Sequence, residues 1–362
     1  MAKAKSRRWL AGLAITIAAV AMACWVAREQ VGEMLFTRAV EQNFGTDHFA
    51  DLPDGLHVIL CGAGSPLPDP QRSGPCTIVV AGKKQFLIDA GSGAARQFGL
   101  MGLPIGELDG IFLTHFHSDH IDGLGEAMLL RWASVGNRTP IPVYGGEGVQ
   151  QVVDGFNQAY RLDTGYRVAH HGADVVPPQG RGGAAKPFNI PDGEDSLVII
   201  DQGDLKVTAV RVPHDPVTPA VGYRFDYKGR SVVISGDTSP APALAGACNG
   251  CDLVVHEALN PDMVAILQKA AARRGNKTAA KIMSDIPPYH TSPADAARIA
   301  QKGKAKMLVL THIIPPLPSR LLYPYYLKGT SGLFDGDIII GEDGMLFSLL
   351  PGKTGIERER IG

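Results

Sequence analysis

Ile111-Phe112-Leu113-Thr114-His115-Phe116-His117-Ser118-Asp119-His120 is the stretch that decides the fold. Three apolar residues, preceded by Asp109-Gly110, read as a short buried strand. Beyond Thr114, three histidines and one aspartate fall within six positions. They sit in the turn past the strand's C-terminal end, where open α/β sheets place their chemistry. His115 and His117 can turn towards one metal ion while Asp119 and His120 face a second. Imidazole nitrogen and carboxylate oxygen are donors that zinc accepts. A loop of solvated polar residues does not concentrate ligands in this way.

Working outward, the same device recurs. Apolar runs at 205–212, 231–235, 253–255 and 307–310 are each followed by a residue of ligand type: His214, Asp237, His256 with Glu257, and His312. Further strands are expected at 57–61, at 76–81 and 85–88 as a hairpin ending in Asp89-Ala90-Gly91, at 221–227, and at 337–340 and 345–350. Residues 92–101, 124–135, 148–160 and 261–275 read as helices. Another is opened by Ser292 as N-cap with Pro293 at the first helical position. Strands alternating with helices in two halves predict two packed sheets with helices outside, an α/β protein of αβ/βα sandwich type. Residues 141–144 are expected at a sheet edge because Pro142 has no N–H. Residues 161–195, rich in Gly, Pro and charge, are expected to form a long loop, with His170-His171 as ordinary polar residues.

The pattern His115-x-His117-x-Asp119-His120 resembles the metallo-β-lactamase superfamily, whose fold is a four-layer αβ/βα sandwich, here expected over residues 56–350. The resemblance implies two zinc ions: His115, His117 and His214 for one, Asp119, His120 and His312 for the other, and Asp237 bridging both. His117 favours zinc over a diiron pair, which would want a carboxylate there. Asp89 in such proteins supports the metal-binding loop from beneath. His214-Asp215-Pro216, Gly222-Tyr223-Arg224, Ser235-Gly236-Asp237-Thr238, His256-Glu257-Ala258, Tyr289-His290-Thr291-Ser292 and Leu310-Thr311-His312-Ile313 are similar to the ribonuclease Z and arylsulfatase-type branch. In that branch His290 is a general acid positioned by Glu257. Asp119 orients or deprotonates the attacking water besides binding metal.

The chain departs from ribonuclease Z in one place. That enzyme grips tRNA with a Gly/Pro-rich basic arm between the Gly-Tyr-Arg and Ser-Gly-Asp motifs, and residues 225–234 leave room only for a hairpin. A formal net charge of −1 and a pI ≈ 6.8 argue against a broad basic face for nucleic acid, while a local patch remains compatible. The leading expectation is therefore a dizinc hydrolase of a small anionic ester, an arylsulfatase-like sulfate ester or a phosphodiester. The loops 67–75, with Arg72, and 161–195 are expected to shape its pocket. The first alternative is an endoribonuclease or phosphodiesterase of ribonuclease Z type. The second is a membrane-tethered zinc-binding protein without turnover, against which a proton donor such as His290 argues. A glyoxalase-like thioesterase fits the Gly-Tyr-Arg and Tyr-His-Thr elements less well.

Residues 1–30 are a separate object. Lys3, Lys5, Arg7 and Arg8 precede residues 9–26, which are 18 positions without a charge. That is longer than a typical signal core and at the short end for a membrane span. The expectation is a single-span anchor with the catalytic domain on the periplasmic or extracytoplasmic side. The alternatives are a cleaved signal peptide, with Ala21-Met22-Ala23 as its processing site, and a lipoprotein at Cys24. Residues 31–55 are expected to be a tether with a lead-in helix and 351–362 a tail. Outside the cytoplasm Cys61, Cys76, Cys248 and Cys251 can oxidise. Cys248-Asn249-Gly250-Cys251 lacks the βαβ setting of a redox motif and reads as a surface loop with a local disulfide.

Overall fold

The β-branched runs become strands and the amphipathic stretches helices in a computed structural model that describes residues 2–43 and 45–362, without the side chains of 2–8, 10, 11 and 43. The strands are β1 (Leu56–Gly62), β2 (Cys76–Ala81), β3 (Lys84–Ile88), β4 (Gly110–Phe112), β5 (Ile141–Gly145), β6 (Gly183–Pro187), β7 (Ser196–Gln202), β8 (Leu205–Arg211), β9 (Val221–Tyr227), β10 (Arg230–Ile234), β11 (Leu253–Leu259), β12 (Met307–Ile314), β13 (Asp337–Ile340), β14 (Met345–Leu349) and β15 (Glu357–Arg360). The helices are α1 (Ala2–Val26), α2 (Arg28–Asn43), α3 (Ala94–Leu100), α4 (Ser118–Ile121), α5 (Leu124–Val135), α6 (Val149–Ala159), α7 (Arg161–His171), α8 (Pro242–Cys248), α9 (Pro261–Arg273), α10 (Lys277–Asp285), α11 (Pro293–Lys302) and α12 (Tyr323–Tyr326).

One sheet runs β15-β14-β1-β2-β3-β4-β5-β6 and the other β13-β12-β11-β10-β9-β8-β7. Side-chain alternation sorts the residues into three cores. Along β1, Leu56, Val58 and Leu60 enter a core shared by both sheets, with Phe112, Tyr223, Phe225 and Val255. Ile59 and Cys61 point the other way, onto Phe98 of α3 and Leu124 of α5. On the far side, Val233, Val254 and Leu308 meet Leu244 of α8 and Ala296 of α11. Three cores between helix, sheet, sheet and helix make the four-layer αβ/βα sandwich of the metallo-β-lactamase fold. Phe112 is a hub of the central core, with ring centroids 4.7 Å from Tyr144 and 5.5 Å from Phe225. Truncating such a fully buried ring costs about 3–5 kcal/mol.

Each sheet has a parallel half, β3-β4-β5-β6 and β10-β11-β12-β13. Asp89 follows β3, the His115 loop follows β4, and Asp237 follows β10. Glu257 and His312 lie on β11 and β12 towards their C-terminal ends. The parallel strands therefore deliver their carboxyl ends, and the chemistry on them, to one rim.

Several expectations are corrected. Residues 161–195 are not a structureless loop: α7 and β6 lie inside them. β5 is interior rather than an edge, flanked by β4 and β6. Pro142 is tolerated because the ladder with β4 begins one residue later, at Ile111↔Val143, so no ladder bond is lost. Cys248 and Cys251 are not in a surface loop. They pair at the end of α8 and are buried, and Cys61 pairs with Cys76 across β1 and β2. Within the segment read as a tail, β15 pairs with β14. Ser292 caps α11 as expected, its Oγ accepting from the Asp295 N–H at 3.1 Å.

Residues Met1–His48 form a compact unit of their own, and Phe49–Gly362 the other. In the first, α1 and α2 are the elements. The side chains of Lys3, Lys5, Arg7 and Arg8 lie outside the described residues. No single helix among the described residues is long and apolar enough to cross a membrane. Gly12–Val26 and Arg28–Gln42 together pass that test, with a bend of 67° between them.

Candidate metal centre

The strand ends bring seven sequence-predicted residues to one point. His115, His117, His214 and Asp237 present ligand atoms within 4.8 Å of one another, and so do Asp119, His120 and His312. Asp237 lies between the two groups: its Oδ2 is 3.3 Å from His120 Nε2, 3.4 Å from His312 Nε2, 3.9 Å from His115 Nε2 and 4.0 Å from His214 Nε2. His117 turns Nδ1 inward, 2.9 Å from His115 Nε2 and 3.4 Å from His214 Nε2. Asp119 Oδ2 is 3.2 Å from His312 Nε2.

The atoms behind the site decide which imidazole nitrogen faces the centre. His120 Nδ1–H donates to Asp89 Oδ2 at 2.8 Å. The Thr114 hydroxyl donates to the same oxygen at 2.9 Å, so it accepts from His115 Nδ1–H at 3.0 Å. Asp89 Oδ1 accepts from the Thr114 N–H at 2.8 Å. His214 Nδ1–H donates to the Tyr289 carbonyl at 3.0 Å. The Nε2 atoms of His115, His120 and His214 are thereby aimed inward, the arrangement that metal-ligating histidines adopt. Asp89 and His312 reach these positions with φ of 57° and 48°. Non-glycine residues seldom take such values, and functional sites collect them.

Charge tells the same story. Burial drives the His115 imidazole well below its ordinary value, with His120 adding to the effect, and burial lowers His117 and His214 too. Neutral imidazole is the ligating form. Burial opposes ionisation of Asp237, but His312 and His120 outweigh it and hold the carboxyl well below the usual range. For Asp119, burial raises, and the His312 hydrogen bond and His120 charge win, so it is lowered. Burial lowers His120, yet Asp237 and Asp89 outweigh it and lift it well above its ordinary value. His120 Nε2 and Asp237 Oδ1 are buried without a hydrogen-bond partner. Inward imidazole nitrogens, two carboxylates and orphaned polar atoms fit metal cations with nitrogen and oxygen ligands.

His290 lies at the edge of this group. Its Nδ1–H donates to Glu257 Oε1 at 3.1 Å, and that oxygen also accepts from the N–H groups of Thr291 at 2.9 Å and Thr238 at 3.2 Å. Burial lowers His290, but Glu257 outweighs it and raises the imidazole to about 8. The ring stacks on His312 with centroids 5.6 Å apart. His256 is fully buried with Nδ1–H on the Glu257 carbonyl at 2.8 Å, and it joins none of the candidate ligand groups among the described residues. Among the expected pocket residues, Arg72 is committed elsewhere: its guanidinium donates to the Gly341 carbonyl, Asp69 and the Tyr323 hydroxyl. The segment 161–195 does contribute, because Phe188 and Asn189 join Pro213, Val217 and Pro219 around a cavity of about 210 Å³ beside His214.

Asp89 supports the loop from beneath as the resemblance implied, but sequence reasoning gave no supporting role to Thr114, Tyr223 or Ser235. Tyr223 is buried and donates its hydroxyl to the Leu113 carbonyl at 2.7 Å, tying the second sheet to the His115 loop. Ser235 Oγ accepts the Glu257 N–H at 2.9 Å. Hydroxyl residues adjoining strand-end ligands, such as Thr114 before His115, were the available signal.

Residues 84–313 match the family described as the beta-lactamase superfamily domain. Ribonuclease Z of Mycolicibacterium gilvum is 34% identical over 291 residues, 80% of this chain and 94% of that protein. The structure is similar to that of human tRNase Z, short form, at 25% identity and TM-score 0.55, covering 80% of this chain and 98% of that one. It also resembles a metallo-beta-lactamase fold protein from Bacillus subtilis at 19% identity and TM-score 0.57, covering 82% and 100%.

Proposed function

This chain belongs to the beta-lactamase superfamily, in its ribonuclease Z branch, and on that premise we propose that it is a dizinc phosphodiesterase acting on RNA. The observation that carries the reading is the seven-residue cluster with His290 and Glu257 beside it. The arylsulfatase-like expectation gives way, because the relatives that cover most of this chain are ribonucleases Z. A zinc store without turnover gives way too, because the relatives are enzymes.

His115, His117 and His214 would hold one zinc, Asp119, His120 and His312 the other, and Asp237 both. Zinc, when bound, supplies Lewis acidity and hydroxide near neutral pH. The chain's own residues do the rest. Asp119 would give one oxygen to the zinc it shares with His120 and His312 and leave the other to orient an attacking water. As a new P–O bond forms and the P–O bond to the departing strand breaks, His290 Nε2 delivers a proton to the leaving oxygen. Glu257 holds the opposite edge of that ring and keeps it charged. The cavity beside His214, with Phe188 and a largely apolar lining, suits one nucleoside of the substrate.

We place residues 49–362 outside the cytoplasm. The positive residues before the apolar run and the pairing of Cys61 with Cys76 and Cys248 with Cys251 support this. The test of function is a panel: zinc-loaded full-length protein with an aryl sulfate, bis(p-nitrophenyl) phosphate, a β-lactam and an RNA with a 3′ extension. Turnover of the diester and the RNA, with the sulfate inert, is expected. Faster turnover of the sulfate sinks the phosphodiesterase reading.

A further inference from the structure

Between Glu257 and His290 the chain makes an excursion that the site does not use. Helix α9 leaves Asn260, turns at Arg274-Gly275-Asn276, and α10 returns to the segment carrying Tyr289 and His290. Both helices are capped, by Asn260 Oδ1 on the Met263 N–H and by Asn276 Oδ1 on the Ala279 N–H, each at 3.0 Å. Only the base is anchored: Val264, Met283 and Ile286 pack with Leu259 and Ile314. The far end is free, and residues 272–278 are all exposed.

The hairpin is basic in a chain that is otherwise not. Residues 261–285 carry Lys269, Arg273, Arg274, Lys277 and Lys281 against Asp262 and Asp285, while the whole chain has a net charge of −1. Asp285 is taken by Lys281 and Asp262 by Lys328. Lys269, Arg273, Arg274 and Lys277 pair with no carboxylate among the described residues. Lys277 in the first turn of α10 opposes the helix dipole, so it does nothing for the helix it opens. Lys269, Arg273 and Arg274 close the C-terminal end of α9, where cations suit the dipole, and Lys277 joins them from the start of α10, so four cations without carboxylate partners among the described residues meet at one exposed turn that can attract phosphate. The strand connection β9–β10, where ribonuclease Z carries its arm, is only the Lys228-Gly229 turn.

We propose that the α9–α10 hairpin is a docking arm for the phosphate backbone of the RNA substrate. This rests on the phosphodiesterase reading. Thirteen residues at 1.5 Å each set the tip about 20 Å from its base. The base is joined directly to Glu257 and His290, so RNA gripped at the tip can run back to the site. Phosphates several nucleotides from the cleaved bond would be held, and a substrate too short to reach the tip would not sense the arm.

The test replaces Lys269, Arg273, Arg274 and Lys277 together by Gln in the zinc-loaded full-length protein. Rates are measured on bis(p-nitrophenyl) phosphate, on the dinucleotide UpU and on an RNA oligonucleotide, with binding to phosphatidylcholine–phosphatidylglycerol vesicles alongside. Two to four phosphate contacts at about 0.7 each make the log–log salt dependence for single strands shallower by about 1.4–2.8 in the variant. KM for the oligonucleotide should rise about tenfold or more at about 0.15 M salt, with kcat and both small substrates unchanged. If wild type and variant cleave all three alike, the arm is wrong and the phosphodiesterase reading stands. Loss of vesicle binding with an unchanged KM for RNA overturns the arm in favour of a lipid surface. If wild type cleaves the small diester but not RNA, the RNA substrate and the arm fall together. If it cleaves none of them, the phosphodiesterase reading itself is wrong.

Discussion

Replacing Asp89 by Asn tests the support beneath the metal centre with little change of shape. Asn tolerates the positive φ of this position, where Ala would add strain. Three donors converge on the Asp89 carboxylate: the Thr114 N–H on Oδ1, and the Thr114 hydroxyl and His120 Nδ1–H on Oδ2. The new amide cannot face the Thr114 N–H, which is fixed, so its NH₂ takes the Oδ2 position. The Thr114 hydroxyl can rotate away, but His120 cannot. Its Nδ1 must become an acceptor, which moves the proton to Nε2, the atom aimed at the metal. Loss of such a support weakens metal binding about 10–100-fold, or about 1.4–2.8 kcal/mol. The deficit should fall mainly on the group formed by Asp119, His120 and His312. Competition with a zinc chelator, read as zinc per chain, measures it, and a thermal melt of the metal-free variant checks folding. A folded variant with an unchanged chelator midpoint would refute the tautomer argument.

His290→Ala should lower kcat by about 10²–10⁴ on a poor leaving group and less on a nitrophenyl ester, with zinc content unchanged; lost zinc would make His290 structural. Glu257→Gln should act in the same direction but more weakly, and an effect larger than that of His290→Ala contradicts a positioning role. Zinc binding should release protons near neutral pH, because His120, held charged by Asp237 and Asp89 against the effect of burial, must give up its Nε2 proton to ligate. Affinity should therefore rise with pH; calorimetry in buffers of different ionisation heat checks this, and zero proton release refutes it. Denatured, unreduced protein should show one reactive thiol, Cys24, and additional thiols would refute the Cys61–Cys76 and Cys248–Cys251 pairs.

What the sequence made legible follows the physics of strand ends. His115, His214, Asp237 and His312 stand out because apolar runs precede them and turn residues surround them. The structure sets them, with His117, Asp119 and His120, at one rim. The helix at Ser292 was readable because its cap is local chemistry. Residues 161–195 were not, because α7 and β6 take their place from packing rather than periodicity: β6 is partly exposed and held by β5 and Asn157. Pro142 misled because Ile141 donates towards β6, so the missing N–H faces β4, whose ladder begins only at Val143. The burial of Cys248 and Cys251 depends on α8 packing onto the second sheet, which no local pattern declares.

Metal dependence of the phosphodiesterase is measured by titrating zinc into metal-free full-length protein while following bis(p-nitrophenyl) phosphate hydrolysis. The rate should climb from zero and level off at about two ions per chain, and Asp237→Ala, which lacks the carboxylate shared by both groups, should neither retain the zinc nor recover the rate. Undiminished hydrolysis by wild-type protein verified to be free of metal would contradict the account.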